Sequence, residues 1–376
     1  MATADEWRQR GMEAIHGLVQ REEAVTQMEM EAKLADKSAG PATGLVKIQP
    51  HHLTRARQRL LDAGVIHRVR ERTRGGTREI ATFSFDPDVK KARRAAARKR
   101  LLQARFLSWS LPSSDWGNAP PVPAALERVV QASLLQAAPY GYRLARPEGG
   151  EVRTLLGSSV PGGSLDNAAF YTGLDAHGSP TSTIVVPVEA KNLRQWVYPQ
   201  TQELFQLLDK SARMQVAHPS ARFVPVLVCR EKHHLTGVMA NQMGFHVIAT
   251  WRQYVRPIAA SYDEGARERF DQVGDELGFN LELREEAVGP MIDHFTKHLP
   301  KRADEASRRW AAICGHPDVP ALLHVLRNDD LAWTDRHMLL VDLGNAVGQA
   351  LGEDVKWSGH SSTGEEPADY RGEDHD

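Results

Sequence analysis

The chain has 376 residues, a formal net charge of -1, 41% hydrophobic and 25% charged residues, and only two cysteines. A chain of this length is expected to form two or three domains, and its composition is typical of a globular protein. No apolar run approaches the ~20 residues of a membrane span, and the first residues do not resemble a signal segment. Two distant cysteines argue against a disulfide framework or a thiolate zinc site. We therefore expect a cytoplasmic protein with no membrane partner.

The charge is distributed unevenly along the chain. The segment from Lys47 to Arg105 has 17 Lys or Arg residues against 5 Asp or Glu. The segment 353–376 has 8 acids against 2 bases and is predicted to be disordered. A basic block inside a nearly neutral chain favours a polyanionic partner, although a solvated helix face is the simpler alternative.

Residues 1–42 are predicted to be an N-terminal helical segment. Apolar side chains recur at helical spacing over residues 4–36, which indicates one long helix, and Ser38-Ala39-Gly40-Pro41 breaks it. The apolar face of this helix is expected to pack either on the next unit or on a second copy of the chain, which would form a homodimer.

Residues 43–87 have the pattern of a small helix-and-ribbon unit. A helical stretch starts at Pro50 and ends near Gly64, and two strands are predicted over 65–70 and 80–85 around a Gly-Gly turn. This pattern resembles a winged helix-turn-helix domain, which implies DNA binding. The implied contacts are recognition-helix and wing arginines, which suit phosphate and guanine: Arg55, Arg57, Arg59, Arg72, Arg74 and Arg78. A winged helix used for protein contact is the alternative.

A basic helix is predicted from Asp88 to Trp109, within a connector that spans 88–122. Its eight Lys and Arg residues leave little apolar surface, so it is expected to connect two domains and to lie along a nucleic-acid backbone. Four prolines between Pro112 and Pro123 mark a linker and a domain boundary.

Residues 123–258 predict an α/β domain. A helix over 124–137 precedes strand-like segments, and a second helix separates these from two further strands. The predicted segments after the first helix are strands at 142–145, 152–156, 165–170 and 183–189, a helix at 196–214, a strand at 223–228, a helix at 234–243 and a strand at 245–249. Apolar strands separated by helices indicate a mixed sheet covered by helices on both faces.

Charged residues end the apolar strand that begins near Thr183. Glu189-Ala190-Lys191 stands at this strand end, and Asp166 lies upstream. Strand alternation places Glu189 and Lys191 on the same side. Carboxylates are the ligands that Mg²⁺ and Mn²⁺ prefer, and a lysine buried near a sheet requires carboxylates or phosphate around it. A purely structural Glu-Lys pair is the alternative.

The order of elements together with Asp166 and Glu189-Ala190-Lys191 resembles the PD-(D/E)xK, or restriction-endonuclease-like, nuclease superfamily. The resemblance implies a metal-dependent DNA endonuclease of the kind that is typical of restriction or other defence systems. Asp166, Glu189 and the Ala190 carbonyl would hold Mg²⁺ or Mn²⁺, and Lys191 would act on the attacking water. Glu127 of the first helix is a candidate additional acid. The rival function is a winged-helix DNA-binding regulator whose nuclease-like core is inactive.

Several choices remain open in the sequence. Asp175 competes with Asp166 for the aspartate role, although Asp175-Ala176-His177-Gly178-Ser179-Pro180 has the pattern of a hairpin turn. Gln200, Gln202 and Gln206 are each candidates for a glutamine that faces the site. Cys229 and the histidines that follow it are too few ligands for tetrahedral zinc, so 229–234 is predicted to be a surface loop. Residues 259–352 predict a helical accessory region.

Overall fold

The structure, a computed structural model, describes residues 3–36, 47–73, 78–111, 121–145, 150–257 and 264–358. The chain divides into two compact units. The first comprises the described residues up to Val122 together with Trp251–Leu283, and the second comprises Pro123–Thr250 and the described residues from Arg284 to Ser358. The predicted domain boundary at 258 differs from this division, because the segment 251–283 belongs with the N-terminal residues. None of the described helices is long and apolar enough to cross a bilayer.

The described elements alternate between helices and short strands. They begin with α1 (Ala4–Glu22), β1 (Val25–Thr26), α2 (Gln27–Leu34), α3 (Pro50–Asp62), β2 (His67–Arg72), β3 (Glu79–Ser84), α4 (Lys90–Ser108) and α5 (Pro121–Gln136). They continue as β4 (Tyr142–Leu144), β5 (Thr154–Leu155), β6 (Ser158–Ser159), β7 (Asn167–Tyr171), β8 (Ile184–Lys191), α6 (Gln202–Ala217), β9 (Arg222–Phe223), β10 (Val226–Cys229), α7 (His234–Met243) and β11 (His246–Ala249). The remainder are β12 (Gln253–Val255), α8 (Glu264–Leu277), β13 (Leu281–Leu283), α9 (Gly289–Asp293), α10 (Pro300–Cys314), α11 (Asp318–Leu326) and α12 (Trp333–Leu351).

The first unit contains a three-stranded antiparallel sheet in the order β1-β3-β2. Strands β2 and β3 pair from His67 with Ser84 to Arg72 with Glu79, so the predicted two-stranded ribbon is confirmed. Helix α3 also lies where the sequence predicted it, and α1 packs against it. Gly11 permits this close approach, because a Cβ there would stand 2.8 Å from the Cβ of Ala56.

The prediction of a single helix over residues 4–36 was wrong. The helix ends at Glu22, Glu23 adopts a positive φ of 67°, and Val25 pairs with Phe83 as an added strand. A new helix then starts with a capping box, in which the Thr26 side chain accepts from the Glu29 amide and the Glu29 side chain accepts from the Thr26 amide. A β-branched pair followed by a Thr-x-x-Glu cap favours this break over a continuous helix.

Helix α4 belongs to the first unit and is held there by acidic partners. The Lys99 ammonium is buried and donates to Glu22 at 2.9 Å, to Glu29 at 2.5 Å and to the Glu276 carbonyl at 2.8 Å. Arg100 is also buried and pairs with Glu71. Part of the basic block is therefore internal to the unit and is not a solvated face.

Most of the predicted linker, residues 112–120, lies outside the described residues.

The second unit is a mixed α/β unit with a sheet in the order β11-β10-β8-β7-β4, flanked by helices. Strand β8 is central, since it pairs antiparallel with β7 and parallel with β10. Helix α6 packs on β8 and β10, and α10 and α11 pack against α6. The predicted α/β class with a mixed sheet is thus confirmed, and the helices that follow Arg284 form part of the unit that contains this sheet.

Two elements of this unit differ from their predicted extents. The strand predicted over 223–228 is divided into β9 and β10, because Pro225 has no backbone N–H to donate to the ladder. Helix α6 begins at Gln202 and not near Trp196, because Pro199 restricts the residue before it to an extended conformation. The ten residues between β8 and α6 therefore form a loop at the end of the central strand.

The close packing of α7 on α10 depends on Gly244. This residue ends α7 with a φ of +86°, and a Cβ there would lie 2.2 Å from the Ala306 carbonyl oxygen and 2.8 Å from the Trp310 amide nitrogen. Gly352 ends α12 with a similar φ of +66°, but nothing lies within 4 Å of its Cβ position. Both positions have a positive φ, but only Gly244 also has neighbouring backbone atoms where a Cβ would lie. Replacing each glycine therefore distinguishes the cost of backbone strain from the cost of steric overlap.

We expect Gly352→Ala to lower the free energy of unfolding by about 1–2 kcal/mol through backbone strain alone. Gly244→Ala is expected to cost roughly 1–3 kcal/mol more, because α10 must also move away. Urea unfolding of both variants measures the difference. Equal losses in the two variants would show that the contact with α10 does not constrain this site.

Candidate functional site

The end of the central strand β8 brings charged side chains into the interior. Glu189 is 2% exposed, and its carboxylate accepts from Lys191 at 3.1 Å on one oxygen. The prediction that these two side chains lie on the same side of the strand is therefore confirmed. Lys191 also donates to Gln206 Oε1 at 2.9 Å, which places the side chain between its own strand and α6.

Asp166 lies beside this pair on the neighbouring strand segment. It immediately precedes Asn167, which pairs with Val188, and its Oδ2 accepts from the Ala190 amide at 2.7 Å. Antiparallel pairing therefore brings the upstream aspartate to the Glu189–Lys191 end of β8. Because a strand residue directs its N–H and C=O toward the same neighbour, the Ala190 carbonyl lies on the Asp166 side as well.

Asp175 lies elsewhere, in an exposed turn. Its Oδ1 accepts from the amides of His177 at 2.8 Å and Ser179 at 2.9 Å, so the carboxylate caps its own hairpin loop. This is the local hydrogen bonding that aspartate commonly makes in turns. Of the two candidate aspartates, the structure brings Asp166 to Glu189 and Lys191.

Glu127 reaches the same neighbourhood from helix α5. Its backbone carbonyl accepts from the Asn167 side chain at 3.1 Å, which ties the helix to the start of β7. The side chain is half-buried, and burial raises the pKa of its carboxyl, with Lys191 opposing and Glu189 adding to the shift. The charges of Lys191 and Glu189 therefore act on the predicted additional acid, and the charge of Glu127 in turn raises the pKa of Asp166.

Lys210 is central to this cluster, although it was not among the site residues predicted from the sequence. Its buried ammonium donates to the second Glu189 oxygen at 2.6 Å and to the carbonyl of Ser164, two residues before Asp166. Lys210 follows Gln206 by one helical turn, so both lie on the same face of α6. The signal in the sequence was a lysine within the apolar face of α6, because a buried lysine requires a charged or hydrogen-bonding partner. Of the other candidate glutamines, Gln202 donates to the Arg327 carbonyl at 3.3 Å.

Burial and charge together give the carboxylates of the cluster opposite shifts. Burial raises the pKa of Asp166 to about 8, and the charges of Glu189 and Glu127 add to this, against Lys191 and the Ala190 amide. Burial also disfavours ionised Glu189, but Lys191 and Lys210 more than offset it, so the pKa of Glu189 lies below its usual range. At neutral pH the site therefore holds an ionised Glu189 beside a protonated Asp166.

The donor chemistry of this cluster fits a hard divalent cation. Asp166, Glu189 and the Ala190 carbonyl offer oxygen ligands, and a cation would favour the ionised form of Asp166, whose pKa is raised by burial and, to a smaller extent, by the charges of Glu189 and Glu127. Mg²⁺ commonly binds through one or two carboxylates and retains water. Among the described residues, however, no group of three or more His, Cys, Asp or Glu side chains is arranged to hold a metal. Both Glu189 oxygens accept from lysines, so the cation would compete with an ammonium group for that ligand.

The segment after β10 supports the loop that follows Lys191. Arg230 is 2% exposed and donates to the carbonyls of Leu193, at 3.3 Å, and Arg194. The His233 ring stacks on Tyr198 with centroids 4.8 Å apart. The prediction of a surface loop over 229–234 was therefore wrong for most of its residues: Cys229, Arg230, Glu231 and His233 are buried. They fix the loop between β8 and α6 in place.

The arginines predicted to bind DNA have different environments in the first unit. Arg57 is buried with its guanidinium 5.1 Å from the Phe83 ring centroid, so it packs inside the unit, at odds with a role in contacting DNA. Arg59 is exposed and pairs with Asp5 at 3.3 Å, and Arg72 is exposed and pairs with Glu79 at 3.7 Å. Arg55 is half-buried, Arg78 is exposed, and Arg74 lies outside the described residues.

The exposed end of α4 adds positive charge to the same unit. Lys90, Arg93 and Arg94 are exposed and make no ion pair with any described residue, whereas Lys91 pairs with Glu23. Arginine and lysine side chains of this kind are the usual source of sequence-independent phosphate contacts.

Comparison with known proteins adds no family to these observations. The chain matches no protein-family model, no curated protein and no solved structure. The function of this chain is therefore inferred from the chemistry of its own side chains.

The protonated state of Asp166 predicts a pH dependence of stability in the absence of divalent ions. Between its ordinary pKa of 3.8 and the folded value of about 8, the unfolded chain releases a proton that the folded chain keeps. The stability that this proton contributes is thus complete below pH 3.8 and is lost as pH rises toward about 8. Compared with Asp166→Asn, wild type should lose up to about 1.4 kcal/mol per pH unit, measured by urea unfolding at several pH values. Parallel curves for the two proteins would contradict a protonated Asp166.

Proposed function

We propose that this chain is a metal-dependent DNA endonuclease, with phosphodiester hydrolysis in the second unit and DNA binding in the first. The observation that carries the proposal is the convergence of Asp166, Glu189 and Lys191 at the end of the central strand, with Glu127 nearby. A buried glutamate, a half-buried aspartate and a lysine in one place are groups that can hold a divalent metal ion and stabilise charge on a phosphodiester. The order β4, β7, β8, α6, β10 supports the restriction-endonuclease-like fold that the sequence resemblance implied.

Each residue has a defined task in this proposal. Asp166, Glu189 and the Ala190 carbonyl would hold a Mg²⁺ or Mn²⁺ ion, which when bound supplies Lewis-acid polarisation of a phosphate oxygen and a more acidic water. Lys191 orients the attacking water and stabilises the negative charge that develops on the phosphate. Gln206 positions the Lys191 ammonium through their 2.9 Å hydrogen bond. Lys210 keeps Glu189 ionised and holds the segment that leads into Asp166.

The first unit supplies the DNA-binding part of the proposal. Its helices α1, α2 and α3 and the sheet β1-β3-β2 are the parts that a winged helix requires, including a strand and a short helix that the sequence did not reveal. Arg55 and Arg59 on α3, with Arg72 and Arg78 on the β-ribbon, remain the proposed DNA contacts. Arg57 is left out because it packs on Phe83.

A second candidate function is a winged-helix DNA-binding regulator with an inactive core. The observation in its favour is that both Glu189 oxygens already accept from lysines, as a structural ion-pair network would arrange them. Salt-sensitive DNA binding by wild type without any metal-dependent nicking would support this candidate.

Nicking of supercoiled plasmid DNA tests the endonuclease directly. Wild type is expected to cleave with Mg²⁺ and not with a chelator, while Lys191→Ala and Asp166→Ala should each lose roughly 100-fold or more of the rate. Both variants should still shift DNA in a gel. Lys297→Ala, which removes an exposed lysine of the same unit, is the matched control and should cleave like wild type. Cleavage by Lys191→Ala at the wild-type rate would eliminate the proposed site.

Salt-dependent affinity tests the proposed DNA contacts. Arg78→Ala and Arg59→Ala should each weaken binding, and each should reduce the slope of log affinity against log salt by about 1, because each removes one phosphate contact. Arg267→Ala, an exposed arginine on α8 of the same unit, serves as the control. If all three variants share the wild-type slope, the α3 and ribbon surface is not the DNA-binding surface.

A further inference from the structure

A second polar site lies in the same unit as the carboxylate cluster. It is a cavity of about 310 Å³, and its lining comes from α7, β11, the segment after β10, and the helical turns around His294 and Arg302. None of Glu127, Asp166, Glu189 or Lys191 lines it. Its lining residues that carry ionisable side chains are Lys232, His246, His294, His298, Lys301 and Arg302.

All of these ionisable groups are cationic when protonated, and no Asp or Glu side chain lines the cavity. Among the described residues, Lys232, Lys301 and Arg302 make no ion pair. The Lys232 ammonium donates to the Val247 carbonyl at 3.3 Å. The nearby Asp293 is paired with Lys297 at 2.7 Å. The cavity thus has positive charge with no internal counter-ion.

The local backbone is arranged around this cavity. The helix that contains α9 and α10 widens between His294 and His298, where the Leu299 amide donates to the His294 carbonyl at 2.8 Å, five residues back. Such π-helical turns occur frequently at functional sites. The turn brings His294 Nδ1 to 3.3 Å from His246 Nε2 on β11 and sets the His298 ring 5.0 Å from that of His294.

The crowded positive charge affects the protonation of the buried groups. Burial lowers the pKa of His246 to about 3, with His294, Arg302, Lys232 and His298 adding to the shift. Burial and His298 lower the pKa of His294 to about 4. Burial and Arg302 also lower the pKa of Lys232, against Cys229 and Glu231. Two neutral imidazoles that face lysine and arginine would gain protons if an anion entered.

We propose that this cavity binds the phosphate group of a small phosphomonoester. A phosphate dianion offers several acceptor oxygens, which match a half-buried ammonium, a guanidinium fork and histidines able to donate. A cation or a neutral ligand would leave the positive charge uncompensated. The cavity volume of about 310 Å³ lies at the lower end of the range for small-molecule pockets, so it suits a compact ligand better than a DNA duplex. The phosphate can belong to a free nucleotide or to the 5′ end of a DNA strand.

Isothermal titration with adenosine 5′-monophosphate, and with adenosine as the phosphate-free match, tests this site. The monophosphate is expected to bind and adenosine is not. Arg302→Gln and Lys232→Met should each weaken binding roughly tenfold or more, because each removes a charged donor. Arg308→Gln, an exposed arginine on α10 that does not line the cavity, should remain within about twofold of wild type. Arg302 is exposed, so its replacement does not threaten folding.

Two outcomes would overturn the proposal: no binding of the monophosphate by wild type at millimolar concentration, or equal affinity in Arg302→Gln, Lys232→Met and wild type. A 5′-phosphorylated oligonucleotide and its 5′-hydroxyl counterpart distinguish the two sources of the phosphate, and Arg302-dependent binding of either phosphate ligand supports the site. Binding of the monophosphate does not require the carboxylate cluster, so Lys191→Ala is expected to bind the monophosphate like wild type.

Discussion

The second unit depends on the burial of the Glu189 carboxylate at the end of its central strand. A charge with 2% exposure is costly unless it is paired and hydrogen-bonded. Lys191 from the same strand and Lys210 from α6 provide that pairing. Lys210 also donates to the Ser164 carbonyl, just before Asp166. One ammonium group therefore joins the central strand, the crossover helix and the approach to β7, so the positions of the site residues and the packing of the unit have a common origin.

This unit contains two clusters of ionisable side chains that are partly or fully buried. At the end of β8, burial together with the charges of Glu189 and Glu127 raises the pKa of Asp166. In the cavity next to β11, burial together with nearby cationic groups lowers the pKa values of His246 and His294. Perturbed pKa values of this kind are frequent at functional sites. A bound cation at the first cluster and a bound anion at the second would each favour the ionised form of these groups, in keeping with the action on phosphate esters that we propose.

The basic block of the first unit combines two physical roles that composition cannot separate. Lys99 and Arg100 are buried among acids from other parts of the unit, and Arg57 lies over Phe83. Lys90, Arg93 and Arg94 are exposed without an ion pair to any described residue. A buried cation needs partners such as Glu22 and Glu276, which are distant in the chain. The net positive charge of the block therefore overstates the part available to a polyanion.

Local patterns in the sequence determined much of the secondary structure and the core of the candidate site. Alternation placed Glu189 and Lys191 on one side of a strand, and the turn chemistry around Asp175 favoured Asp166, because both depend on neighbouring residues. Tertiary structure alone decided the rest. It placed Gln206, one of the three candidate glutamines, beside Lys191, and it placed Lys210 beside Glu189. It also buried residues 230–231 and joined residues 251–283 to the first unit. These outcomes depend on contacts between residues far apart in the chain. Packing and the need to neutralise buried charge decide which of these residues pair, and such pairing leaves no local periodicity in the sequence.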